Sequence, residues 1–148
     1  MQKITYLEKP VYIESFASVG GLEEYRGPLG NKFDLIDKKD KFGMKTWERA
    51  EGEMGRLALN IALKKKNLSP DSLNVLVAGD LQNQCVASSG GLFSFGIPFL
   101  GLYGACSTCT EAMLVLTAML SASKNYTRGG VVTSSHNCAA ERQFRTPI

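Results

Sequence analysis

FLGLYGACSTCTEAMLVLTAMLSAS, running from Phe99 to Ser123, is the stretch on which the fold turns. Phe99 to Tyr103 is a short apolar run of strand length, closed by Gly104-Ala105. From Thr108 to Ser123 the spacing predicts a helix with apolar residues on nearly every side: Ala112, Met113, Leu114, Val115, Leu116, Ala118, Met119 and Leu120. A helix apolar all round must be covered all round. A strand that passes through a tight turn into a buried helix is the building unit of an α/β fold.

The same unit recurs on either side. Downstream, Gly129-Gly130 leads into a strand over Val131 to Ser135. Upstream, Leu73 to Ala78 reads as a buried strand, Asp80 to Ser88 as a short helix, and the glycine-rich Gly90 to Pro98 as the return. Before these, Thr46 can cap a helix with Glu48 in its first turn and Lys64, Lys65 and Lys66 in its last, ending near Asn67. Its expected buried face is Trp47, Ala50, Met54, Leu57, Ala58 and Ile61. Ser69-Pro70-Asp71 makes the turn that follows. Val11 to Val19, rich in β-branched and aromatic residues and stopped by Gly20-Gly21, predicts a first strand. Leu22 to Lys45, dense in charge, reads as an exposed loop or arm. Strands separated by helices imply a mostly parallel sheet with helices on both faces and right-handed crossovers.

The chain has 148 residues, 44% of them hydrophobic and 21% charged, which fits one packed domain and excludes disordered or fibrous classes. Seventeen Lys and Arg against fourteen Asp and Glu leave +3, mixed along the chain, so nucleic acid is not an expected partner. Ala112 to Leu120, the densest apolar helical run, falls short of the roughly 20 residues of a bilayer span, and no transmembrane segment is expected. Met1 to Pro10 lacks the apolar core of a signal peptide. Four cysteines, at 85, 106, 109 and 138, are too sparse for a disulfide scaffold and imply reduced thiols in a cytosolic compartment.

Cys106 is the most informative residue. Between a strand and the start of a helix, its thiol would meet helix N–H groups and the positive dipole end, the mechanics of a nucleophile elbow with Cys in place of Ser. The plainer alternative is a small buried hydrophobe. Cys106 and Cys109 form a CxxC, which also suits thiol–disulfide chemistry if the first cysteine is exposed. Zinc would need two further ligands from Cys85, Cys138 and His136, and no second close-spaced pair exists, so no metal or cofactor is expected. Asp80 and His136 lie just beyond the ends of two other strands, where open α/β sheets bind ligands, and all three residues can converge on one edge. Asp80 reads equally as a helix N-cap, and His136, the one histidine, as a turn residue bonded to backbone. Glu141, Arg142 and Arg145 form a charged cluster that can receive an anion or simply face solvent.

Three strings carry more than their spacing: Gly79-Asp80-Leu81-Gln82-Asn83-Gln84, Ile97 through Thr108, and Glu141-Arg142-Gln143-Phe144-Arg145. With Gly27-Pro28-Leu29-Gly30 and Thr46-Trp47-Glu48, they resemble the stage V sporulation protein AD family over nearly the whole chain. That family is similar in fold to thiolases and type III ketoacyl-acyl carrier protein synthases, where a Cys at the position of Cys106 is the acylated nucleophile. The resemblance implies that residues 1–148 are the amino-terminal half of a thiolase-like αβαβα fold, whose second half supplies the catalytic His and Asn in the enzymes.

It further implies a non-catalytic pocket for dipicolinic acid (pyridine-2,6-dicarboxylate), taken with calcium into the developing spore alongside membrane-embedded stage V sporulation proteins. On this reading the protein is a homodimer, located in the cytoplasm or forespore and peripheral to the spore inner membrane. A planar dianion wants helix N-termini, Arg or Lys donors and a flat apolar wall. The ligand-binding candidates are Cys106, Asp80, Asn83, Ser107, His136 and Arg145, with Asp80 repelling a dianion unless protonated or bridged. The competing expectation is a thiolase-like acyltransferase with Cys106 as nucleophile and His136 as the one resident base.

Overall fold

The computed structural model describes residues 6–82 and 85–144. Its centre is a parallel sheet in the order β4-β3-β5, built from β3 (Val75–Gly79), β4 (Phe99–Gly101) and β5 (Gly129–Thr133). β3 is buried along its whole length, as the middle strand of a sheet covered on both faces should be. Leu76 pairs with Phe99 on one side and Gly130 on the other, which fixes the register of all three strands.

One face of the sheet is covered by α2 (Trp47–Lys64) and α3 (Val86–Leu92), and the other by α4 (Thr108–Ala122). Leu59, Leu63, Leu73, Leu76, Ala78, Leu92 and Val132 form the core under α2 and α3. Val75, Val77, Ala112 and Leu116 form the core under α4. The expected α/β class, with a parallel sheet and helices on both faces, is therefore what the chain adopts. A shorter parallel pair, β1 (Val19–Gly20) with β2 (Leu35–Ile36), flanks α1 (Leu22–Arg26), and α5 (Asn137–Phe144) closes the described chain.

Thr46 caps α2, its hydroxyl accepting from the Arg49 N–H at 3.3 Å. The buried face of that helix is Ala50, Glu51, Gly52, Gly55, Leu59 and Leu63. Of the face expected from apolar spacing, Ala50 alone is buried, while Trp47, Met54, Leu57, Ala58 and Ile61 are half-buried. Glycine explains the rotation: Gly52 packs backbone to backbone on Gly91 and on the Ala87 carbonyl of α3, and Gly55 sits against Val132. Helices meeting through glycine approach closely without any large apolar residue to mark the contact.

Three further expectations are corrected. Val11 to Ser18 forms no strand; pairing begins only at Val19, and the segment is held by side-chain bonds instead. Leu22 to Lys45 is not a free arm, since it contains α1, a 3-10 turn and β2, and its aspartates accept from backbone: Asp34 from Ser18, Asp37 from Lys39, Asp40 from Leu22. The helix expected over Asp80 to Ser88 starts only at Val86.

α4 begins and ends within a residue of expectation, but this chain covers one side of it. Thr108, Ala112, Leu116 and Ser121 are buried, whereas Met113 and Leu114 are 43% and 65% exposed. With the turn before it, Ala105–Ala122 makes an 18-residue run long and apolar enough to cross a membrane by length and composition, longer than Ala112 to Leu120 suggests. The core helix of a layered protein passes the same test.

Candidate functional site

The chain leaves β4 at Gly101 and passes directly over the end of β3. Leu102 N–H donates to the Ala78 carbonyl at 2.8 Å, and a Cβ on Gly79 would collide with the Leu102 carbonyl and the Thr108 methyl. Glycine is the residue that lets the two strand ends meet here. A 3-10 turn, Ala105–Ser107, then feeds α4. Ala105 holds φ at +49°, a left-handed conformation that non-glycine residues adopt rarely and chiefly at tight turns. Around it, Gly104 N–H donates to Thr108 Oγ1 at 3.1 Å and Ser107 Oγ donates to the Gly104 carbonyl at 2.7 Å.

The turn lifts Cys106 and Ser107 into exposure at the amino end of a 15-residue helix. Cys106 is not the buried small hydrophobe of the plainer reading. Cys109, one turn into α4, is exposed as well. Tyr103, 53% exposed, stands just before them, its hydroxyl donating to the Leu81 carbonyl at 3.4 Å. The sequence logic of strand, strained turn and helix is therefore realised at Cys106.

Behind this turn lies a buried polar network at the carboxyl ends of β3 and β5. Asp80 is 1% exposed, and its carboxylate is saturated: Oδ1 accepts from the Gln82 N–H at 2.8 Å, Oδ2 from the Ser88 N–H at 2.7 Å and from the Ser88 hydroxyl. It organises the turn between β3 and α3, close to its N-cap reading. Glu51, fully buried on α2, accepts from Gln82 Nε2 at 2.7 Å and from Ser134 Oγ at 3.0 Å. Burial pushes the Glu51 carboxyl up, and the Asp80 charge adds to this; the bonds from Gln82 and Ser134 and the nearby His136 offset part of it. Burial, with the Asp80 charge, also pushes up the Cys85 thiol, which donates to the Leu102 carbonyl at 3.0 Å.

His136 sits just before α5, 6% exposed. Its Nε2 lies 2.7 Å from the Asp40 carbonyl, which can only accept, so Nε2 carries the proton. Nδ1 is buried with no partner among the described residues. The ring leans on Trp47, centroids 5.4 Å apart, and Lys41 Nζ stands 3.4 Å over the indole.

The sheet edge thus gathers Asp80 and His136 around Glu51, while Cys106 and Ser107 stand outside that network at the surface. Asn83 and Arg145 lie outside the described residues. Among the described residues, no group of three His, Cys, Asp or Glu side chains is placed to hold a metal ion. A groove of about 480 Å³ is lined by Leu92, Phe93, Ile97 and Phe99 among others, at the opposite end of β4 from Cys106. Glu51 is the member that sequence reading misses. Its one signal is a charge flanked by Ala50 and Gly52, on a face too small to be exposed by accident.

Comparison with known proteins bears on this arrangement as a whole. The model of the family Stage V sporulation protein AD (SpoVAD) matches residues 1–148. The chain is 41% identical over 140 residues to the stage V sporulation protein AD of Bacillus subtilis (strain 168), an alignment covering 95% of this chain and 41% of that relative. It therefore spans well under half the length of the curated relative it matches. A match that runs from the first residue to the last, through the β3 end, the Cys106 turn and the start of α5 alike, places the chain in the stage V sporulation protein AD family.

Proposed function

We propose that the protein binds dipicolinic acid without turning it over, and that it serves the loading of this compound, with calcium, into the developing spore. The partners in this reading are membrane-embedded stage V sporulation proteins, and the location is the cytoplasm or forespore, peripheral to the spore inner membrane. The observation that carries it is the Cys106 turn in a chain of this family. Exposed Cys106 and Ser107 stand at the amino end of α4, where the positive end of the helix dipole favours a carboxylate, although the Ser107 N–H is taken by the Gly104 carbonyl and the Thr108 N–H by the Ala105 carbonyl. Tyr103 beside them offers a flat wall. Asp80, which faces the dianion in the sequence reading, has both oxygens committed inward, so its charge does not meet a ligand at this turn.

On the same reading the chain is the amino-terminal half of a thiolase-like αβαβα fold, with the uncovered side of α4 facing the other half. A homodimer suits the outer edge of β4, which has no strand partner among the described residues and where Phe99 and Leu100 are exposed. The acyltransferase alternative draws support from Cys106 as an exposed thiol at a helix amino end. Against it, His136 is buried and committed to the Asp40 carbonyl and the Trp47 face, which leaves Cys106 without this base.

Calorimetric titration of the intact family protein with dipicolinate, with and without calcium, tests the binding reading. Saturable heat is expected, with Cys106→Ala weakening affinity by about tenfold, or 1.4 kcal/mol. An absence of saturable binding overturns the reading. Mass spectrometry after incubation with acyl-CoA decides the alternative, since an acyl adduct on Cys106 would make the protein a thiolase-like enzyme.

A further inference from the structure

Cys106-Ser107-Thr108-Cys109 suits thiol–disulfide chemistry on one condition, an exposed first cysteine, and the fold meets that condition for both cysteines. The other two thiols are placed differently. Cys85 is buried and donates to the Leu102 carbonyl at 3.0 Å, and Cys138 is half-buried on α5. Among the described residues, neither Cys106 nor Cys109 spends its sulfur on a hydrogen bond. Two uncommitted thiols therefore stand three residues apart at the amino end of α4.

The residues between them are tied down. Thr108 is 4% exposed, its methyl lies against Gly79, and its Oγ1 accepts from the Gly104 N–H at 3.1 Å. Ser107 is held twice by the Gly104 carbonyl, through its N–H at 3.0 Å and its Oγ at 2.7 Å. Both have helical backbone, with φ −89° and ψ −8° at Ser107 and φ −50° and ψ −42° at Thr108. Helical backbone across the intervening pair leaves the cysteine Cα atoms about 5 to 6 Å apart, inside the span of about 4.4 to 6.8 Å that a disulfide bridges. In a helix body the Cβ atoms at this spacing stay about 5 to 6 Å apart, wider than the roughly 3.8 Å of a disulfide. Cys106 precedes the body of α4, in the 3-10 turn, and rotation there closes the difference.

We propose that Cys106 and Cys109 form a dithiol site that reduces a low-molecular-weight disulfide and closes into an intrachain disulfide in doing so. The Cys106 thiolate attacks one sulfur of the small disulfide, forming a mixed disulfide and releasing one thiolate. The Cys109 thiolate then attacks Cys106 Sγ, closing the Cys106–Cys109 bond and releasing the second thiolate. The two protons given up by the cysteines end on the two released thiolates, so two protein thiols are oxidised and one small disulfide becomes two thiols. Cys106 takes the first step because it stands on the turn ahead of the helix, while Cys109 has its backbone inside α4 and resolves. The exchange belongs to the turn itself and stands whether or not dipicolinate binds there.

Mass spectrometry of the reduced, folded chain after incubation with glutathione disulfide, acid quenching and alkylation tests the site. Chymotryptic cleavage after Tyr103 and Leu114 puts both cysteines in one peptide and leaves Cys85 and Cys138 in others. That peptide should be lighter by two hydrogens, carry no glutathione and resist alkylation. In Cys109→Ser, glutathione should remain on Cys106 at a level at least about tenfold above that in the parent, because intramolecular resolution acts at an effective concentration in the millimolar range. A stable adduct on Cys106 in the parent overturns the proposal, as does Cys109→Ser with no adduct on Cys106. A bond from either cysteine to Cys85, to Cys138 or to a second chain overturns it too.

Discussion

α2 and α4 lie on opposite faces of one three-stranded sheet, and their compositions suggest the reverse of their surroundings. α2 carries six charged side chains and hides one of them, Glu51, completely. α4 carries a single charge, Glu111, and leaves Met113 and Leu114 in the open. The difference lies in what stands around each. α2 is packed by the sheet, α3, β1 and α5, whereas α4 meets β3 and β5 from one side. Burial of a helix is thus set by how many elements pack around it, which its composition alone does not give.

The most damaging way to break this contrast is at the glycine contact that gives α2 its depth. Gly91→Val drives a side chain into the backbone of Gly52, and the expected loss is about 3 kcal/mol or more in urea denaturation. A smaller loss, about 2 kcal/mol, is expected for Glu51→Ala, which leaves the Gln82 amide and the Ser134 hydroxyl without their buried acceptor. The companion Glu51→Gln separates charge from bonding. The folded protein raises this carboxyl above its unfolded value of 4.5, so its contribution is fully present below that pH and is lost as pH rises through the raised value. Stability measured from pH 4 to 8 should therefore fall less steeply in Glu51→Gln than in the parent. Leu114→Ser is the smallest perturbation. On the exposed side of α4 it should change the stability of this chain by no more than about 0.5 kcal/mol, and a larger loss in the intact family protein would show that α4 is covered there.

The elements around Cys106 are legible because their signals are local. An apolar run of strand length, a Gly-Ala turn and an unbroken apolar helix need no knowledge of distant residues, and β3, β4, α4 and β5 follow within two residues of expectation. What stays hidden is long-range. The buried face of α2 escapes a reading of apolar spacing because Gly52 and Gly55 contribute contact without hydrophobicity. The order in residues 22–45 comes from aspartates accepting backbone N–H groups up to 18 residues away, which charge density disguises as solvation. Val11 to Ser18 reads as a strand because propensity describes a residue's fitness for a ladder and not the presence of one. At the site, Cys106, Asp80 and His136 all fall at strand ends as expected. Their division into an exposed thiol and an inward network depends on Glu51, which comes from a helix far upstream.

One consequence of the His136 corner is optical. Trp47 is the only tryptophan in the chain, and it is held between the Lys41 ammonium and the imidazole of His136. The indole emission of the whole protein therefore originates at the joint where residues 37–45, the start of α2 and the approach to α5 meet. Any event that shifts that joint writes itself into the fluorescence without a label, and events confined to the far end of the sheet leave the spectrum unchanged.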